Sequence, residues 1–221
     1  MDFSALTLSL KLALWTCVIL IPLSLLIARP LAWTSFRYKG LIEALIALPL
    51  VLPPTVLGFY LLVALGDDTY LGQMFQALFG RGLVFTFEGL LLASLVFNLP
   101  FAVQPIQRAF EAVPVNLREA AWCSGLSNIK TFFRIELPLA LPGVVSALTL
   151  TFAHTMGEFG VVLMVGGNIP DETRTIAIAI YDRVQAFDNV AAGVMSLVLL
   201  SISFLTLGIV YMAMPRWSGR S

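Results

Sequence analysis

Residues 108–143 read RAFEAVPVNLREAAWCSGLSNIKTFFRIELPLALPG, a polar interruption between two long apolar segments. Its local physics predicts a short helix, a tight turn and a second helix, held at a membrane surface. Asn116 is a good helix N-cap residue, and Glu119 three positions on forms a capping-box-like pair with it. Gly125 is placed to take the left-handed conformation that ends the first helix. Ser127 then caps a second helix that runs toward Pro138. Between the caps, Ala120 and Ala121 are expected on the exposed turn, with side chains small enough to let the helix lie deep in a partner's groove.

The rest of the chain sets the medium. Of its 221 residues, 59% are hydrophobic and 12% charged, with a mean hydropathy of +0.92. Soluble domains are roughly half apolar and about a quarter charged, so this composition indicates an integral membrane protein. Five stretches are long and apolar enough to cross a hydrocarbon core about 30 Å thick. They run from Leu6 to Ala28, Ala44 to Gly66, Gly89 to Gln107, Leu137 to Gly157 and Asn189 to Pro215. Backbone polar groups find no water in lipid, so each is expected to be a helix. The fold class that follows is an all-α polytopic bundle over residues 1–221, with a loop at about 108–142 and five spans. A sixth is possible if the short apolar piece Phe159 to Ile169 forms a membrane-embedded turn. The first apolar stretch is too long for a cleavable leader and lacks a basic flank, so it is expected to remain as a span.

Basic residues orient the bundle. Arg29, Arg37, Lys39, Arg108, Arg118, Lys130, Arg134, Arg216 and Arg220 fall on one side, and Lys11, Arg81, Arg174 and Arg183 on the other. The richer side is expected to be cytoplasmic, which puts the N-terminus outside and the C-terminus inside. Thirteen basic and thirteen acidic residues cancel overall, so net charge indicates no nucleic-acid partner. Cys17 and Cys123 fall at different levels, one on a span and one on the polar loop. With a single histidine in the chain, they offer neither a disulfide nor a metal site.

Several spans carry polar or helix-breaking residues. Pro49, Pro53 and Pro54 crowd the second span, where each missing backbone donor forces a kink or a local opening. A hinge lining a pathway and a static kink both account for them. Leu71, Met74, Phe75, Leu78 and Phe79 recur at the spacing of a short amphipathic helix on the outer surface. Asn98, Pro100, Gln104 and Pro105 interrupt the third span, and the amides are expected to bond across helices. In the fourth span, Thr151, His154, Thr155 and Glu158 lie on one stripe. That stripe is a candidate pathway or gate lining, with an interhelical hydrogen-bond cluster as the alternative. Glu158 would repel an anion and is not taken as a substrate ligand.

The quoted loop also carries a family resemblance. Glu119-Ala120-Ala121, Gly125 and Ile135-x-Leu137-Pro138 match all seven fixed positions of the EAA-x3-G-x9-I-x-L-P signature, at its spacing. That signature is similar to the one in permeases of binding-protein-dependent ABC importers. The segments GEFGVVLMVGGNIPDETRTIAIAIYDRVQ and LPLVLPPTVLGFYLL resemble the molybdate branch of that family, with Asp171 standing where glycine is common. The resemblance implies a homodimeric type I permease whose cytoplasmic coupling helix docks an ATPase. Glu119, Ala120, Ala121, Gly125, Ile135, Leu137 and Pro138 would be its coupling residues. It also implies two ATPase subunits, a periplasmic molybdate-binding protein and the lipid bilayer as partners, with no cofactor in this chain. Sulfate or another oxyanion is the alternative cargo. An ATPase-independent channel or secondary transporter is an alternative class that leaves the signature unexplained.

Two absences fit an importer subunit. The chain has no G-x-x-x-x-G-K-[ST] phosphate cradle and no nucleophile–histidine–acid set, so hydrolysis is expected to come from another subunit. No lysine or arginine lies in the central parts of the spans, where a desolvated oxyanion would want fixed charge. Tight binding is therefore expected to belong to a separate external protein.

Overall fold

The computed structural model describes residues 1–213, which are helical without strands. The helices are α1 (Phe3–Trp33), α2 (Lys39–Val51), α3 (Pro54–Leu65), α4 (Tyr70–Phe79), α5 (Phe87–Glu111), α6 (Val115–Cys123), α7 (Asn128–Thr131), α8 (Leu137–Gly157), α9 (Gly160–Gly166), α10 (Ile176–Gln185) and α11 (Asn189–Ala213). Pro215, Arg216 and Arg220, assigned above to the last span and its basic tail, lie outside the described residues.

Helices α1, α5 and α8 form the centre, with α5 packed along both others. The apolar core runs the length of that trio in separate clusters. Leu20, Leu31, Ile106, Phe110 and Ala140 fill one end, and Leu12, Leu90, Phe97, Val162 and Ile178 fill the other. A third cluster joins α1 to α10 and α11 through Ala13, Met156, Ile176 and Met195. Gly143 sets how close α8 comes to α5: a methyl there would lie 2.3 Å from Ala109 Cβ and 2.7 Å from the Pro105 carbonyl.

Among the described residues, helices long and apolar enough to cross number five when α2 and α3 are counted as one broken crossing, bent by 113° between Val51 and Pro54. Pro53 has extended backbone there (ψ 136°) and Pro54 opens α3 at its first position. A proline supplies no donor for the preceding turn, so the helix stops and restarts. Helix α9 is the short apolar piece that could have been a sixth span. Its seven residues reach only about 10 Å, too short to cross, and it is packed instead against α3 and α5.

The segment after Ser127 departs from expectation. The second helix of the polar loop does not stop near Pro138 but continues without a break from Asn128 to Gly157. Continuity is kept by a π-helical turn over Phe132–Glu136, which widens the helix just before Pro138. Such a turn accommodates the missing N–H and the ring that would otherwise break the helix.

Charged residues gather at two opposite ends. One end holds Arg29, Arg118 and Glu136 together, with Gln107 bonded to Glu43 and Lys39 paired with it. At the other end Arg81 pairs with Glu88 and Glu172, and Arg174 with Asp2 and Asp182. Lys11 lies nearer this second end, its ammonium 4.3 Å from the centre of the Phe87 ring. Asp171 joins the same end by accepting from the Ser4 hydroxyl. Its φ of +65° explains why glycine suits the position, and aspartate is among the few residues that tolerate it.

Candidate functional site

Helix α6 projects from the first charged end and is built largely by its caps. It begins two residues earlier than the sequence implied. Pro114 (φ −59°, ψ 130°) is its N-cap, which places Asn116 inside the first turn with no side-chain cap bond. The fixed φ of Pro114 directs the chain into the helix, so the anticipated Asn116–Glu119 capping box is absent. Glu119 is exposed and its side chain makes no hydrogen bond among the described residues.

The C-terminal end follows the sequence reading. Gly125 has φ +81°, Leu126 N–H donates to the Ala121 carbonyl at 3.0 Å, and Gly125 N–H donates to Trp122 at 2.9 Å. These are the paired bonds of a Schellman end, which needs a left-handed residue at that position. Ser127 then caps α7 by accepting from Lys130 N–H.

Four of the seven signature residues meet in one groove. Ala120 and Ala121 on α6 face Ile135, Pro138 and Leu139 across a mostly apolar cavity of about 460 Å³. Ala120 is exposed, but Ala121 turns inward and is 6% exposed, so the two alanines do not share one outward face. Their small size lets α6 lie close to the following helix. Gly125 closes the turn, Leu137 is half-buried behind it, and Glu119 points away.

Beneath α6 lies a buried ionic triad. Glu136, with no exposed side-chain surface, ends the π turn. It accepts from Arg29 Nε at 2.7 Å, Arg29 Nη2 at 3.3 Å and Arg118 Nε at 2.9 Å. The Arg118 guanidinium sits 3.8 Å from the Trp33 ring centre and 5.0 Å from that of Trp122. A buried carboxylate is costly unless charged donors compensate it, and here two do. Sequence reasoning used Arg29 and Arg118 only to count charge and treated position 136 as a free letter of the signature. The available signal was an acidic residue inside the apolar run FFRIELPLALP.

The mid-bundle stripe is drawn into side-chain hydrogen bonds. Asn98 on α5 donates to Thr155 Oγ1 at 2.8 Å and to Ser94, and its Oδ1 lies 3.0 Å from His154 Nδ1. Ser94 continues the chain to Thr16 on α1 at 2.7 Å. The His154 ring stacks on Phe101 with centres 4.1 Å apart. Thr151 is buried with its hydroxyl unpartnered, whereas His154 keeps a third of its side chain exposed. Glu158 accepts from Val161 N–H at 2.9 Å and so secures the start of α9. Pro49 is half-buried, and Pro53 and Pro54 are exposed at the α2–α3 break. Pro54 packs against Gly160 at the start of α9, six residues beyond His154.

Comparison with known proteins identifies the family. Residues 20–219 match the family model described as "Binding-protein-dependent transport system inner membrane component". The chain is 49% identical over 214 residues to the molybdenum transport system permease protein ModB of Azotobacter vinelandii, covering 95% of this chain and 93% of that one. It is 40% identical over 185 residues to the protein of the same name from Haemophilus influenzae, covering 84% and 81%. A probable sulfate transport system permease protein, cysT of Prototheca wickerhamii, is 32% identical over 189 residues, covering 85% and 74%. Among solved structures, a bacterial ABC transporter that imports alginate aligns with a TM-score of 0.74 at 16% identity, over 95% of this chain and 79% of that one. An inward-facing MetNI methionine ABC transporter aligns at 0.70 and 15% identity, over 98% and 94%. The chain belongs to the binding-protein-dependent transport system inner membrane component family, as a multi-pass, ModB-like type I ABC permease.

Proposed function

We propose that this chain is the transmembrane permease subunit of an ATP-driven import system for molybdate, with tungstate accepted as a near isostere. It forms the translocation pathway by alternating access. Two separate ATPase subunits bind at the α6 end, which faces the cytoplasm, and a periplasmic molybdate-binding protein delivers cargo to the opposite end. A second copy of the chain completes the pathway. The observation that carries this reading is the groove in which Ala120 and Ala121 of a projecting helix, ended by the left-handed Gly125, face Ile135 and Pro138. Relatives that carry the molybdenum transport name, at 40 and 49% identity, support the cargo.

ATP-driven closure of the ATPase pair moves the two α6 helices toward each other, and the permeases rock outward to receive the anion; hydrolysis resets them. The Glu119 side chain, exposed and without a partner among the described residues, engages the ATPase. Leu137 and Pro138 pass the motion into α8, while Gly125 holds the angle between the two helices. Along the path, the break at Pro49, Pro53 and Pro54 serves as a hinge beside the Gly157–Gly160 turn. Thr151, His154 and Thr155 line or gate the seam between α5 and α8. Hydroxyl, amide and backbone contacts there hold the anion weakly, which leaves tight binding to the external protein.

Sulfate is the second reading, favoured by the 32% identical sulfate permease relative. The test is co-purification with the ATPase, reconstitution in liposomes and ATP-dependent uptake of molybdate, tungstate and sulfate, with and without binding protein. The expected result is molybdate and tungstate uptake that requires ATP and binding protein. Sulfate uptake alone would move the cargo assignment. Uptake without the ATPase would overturn the reading altogether.

A further inference from the structure

Helix α6 has a weak footing of its own. It has nine residues, of which only Ala121 is buried, and its main packing partners are α7 and the π turn that follows it in sequence. A lever so lightly held would tilt under load instead of moving the bundle. Its strongest link to the rest of the fold is Arg118, 11% exposed, bonded to Glu136 and stacked between Trp33 and Trp122. Glu136 in turn holds Arg29, whose guanidinium lies 5.4 Å from the centre of the Phe132 ring.

From this geometry we infer that Arg118, Glu136 and Arg29 are positioning residues of the transport cycle, a charged rivet that makes α6, the start of α8 and the end of α1 move as one body. The inference rests on the proposed docking of an ATPase at α6 and adds a second route for its motion. Force passes through the backbone into α8 and also sideways, through Glu136, into α1, 107 residues away in sequence. Planar guanidinium–carboxylate pairs suit this task because they fix direction as well as distance. The π turn suits it too, since it ends on the carboxylate that both arginines share.

Arg118→Gln is the more informative variant, because Glu136 keeps its Arg29 partner and the bundle keeps its charge compensation. Glu136→Gln severs both links. In liposomes containing the ATPase and the binding protein, each variant complex is expected to assemble and to hydrolyse ATP within about twofold of wild type. Molybdate imported per ATP should fall about tenfold, in line with losing a charge-assisted bond at a buried carboxylate. The double variant should be no worse than Glu136→Gln, which already breaks the link that Arg118→Gln removes. A loss of stability alone would lower the amount of complex without changing this ratio. Wild-type transport per ATP in Arg118→Gln, or losses that multiply in the double variant, would overturn the inference. An arm independent of transport uses spin labels on Cys123 and on a Ser35→Cys variant, with Cys17 replaced by serine. The separation should stay narrow and unchanged on adding ATP in the otherwise native protein, and broaden in Arg118→Gln. Equal distributions in the two would overturn the rivet even if the transport reading itself failed.

Discussion

Gly125 stands at φ +81° with open space where a side chain would go. A β-branched replacement therefore meets backbone strain without a clash, at a cost of about 1–3 kcal/mol confined to the α6–α7 turn. Gly125→Val should leave the thermal midpoint of the purified permease within a few degrees of wild type. It should also lower molybdate imported per ATP severalfold, measured in liposomes with the ATPase; unchanged coupling would count against the lever. Asp171 offers a paired comparison, since it combines φ +65° with a bond from Ser4. Asp171→Ala keeps the strain and loses the bond, so it should destabilise by about 1–2 kcal/mol. Asp171→Gly loses the bond but relieves the strain, and should be milder in thermal unfolding. Gly125 and Ser127 were legible in the sequence because a helix end is decided by a few adjacent residues. Asn116 misled for the same local reason: Pro114, two residues upstream, took the N-cap position first.

The contact between α5 and α8 depends on Gly143, where an added methyl would meet Ala109 and the Pro105 carbonyl well inside van der Waals range. Gly143→Ala should force the helices apart and destabilise the bundle by about 1–3 kcal/mol. The expected signs are a lower thermal midpoint and poorer recovery from detergent; a wild-type midpoint would mean that the seam yields freely. Span positions were readable because they require only a count of apolar residues. The 113° break after Val51 was readable as a site of disruption, but its angle was not, since it is set by how α3 packs on α9. The π turn and the continuity from Asn128 to Gly157 were hidden as well. Pro138 looks like a stop until a widened turn absorbs it. The Arg29–Glu136–Arg118 triad was the largest omission, because no local pattern joins residues 107 apart.

Taken whole, the molecule is a bundle with two charged ends and broad apolar faces left uncovered among the described residues. Val190, Leu197, Leu200 and Phe204 on α11 are each more than 60% exposed, as are Val51 and Tyr60 on α2 and α3. Lipid and a second copy of the chain are the occupants expected under the proposed assembly. That assembly places the ATPase against α6, where Cys123 is exposed while Cys17 is buried. A thiol-attached photo-crosslinker on the native protein therefore reports from α6 itself. In the complex with its ATPase, irradiation should give one adduct between permease and ATPase, abolished by Cys123→Ser and retained in Cys17→Ser. A labelled Cys123 that captures no ATPase in a complex still importing molybdate would contradict the docking of the motor on this helix.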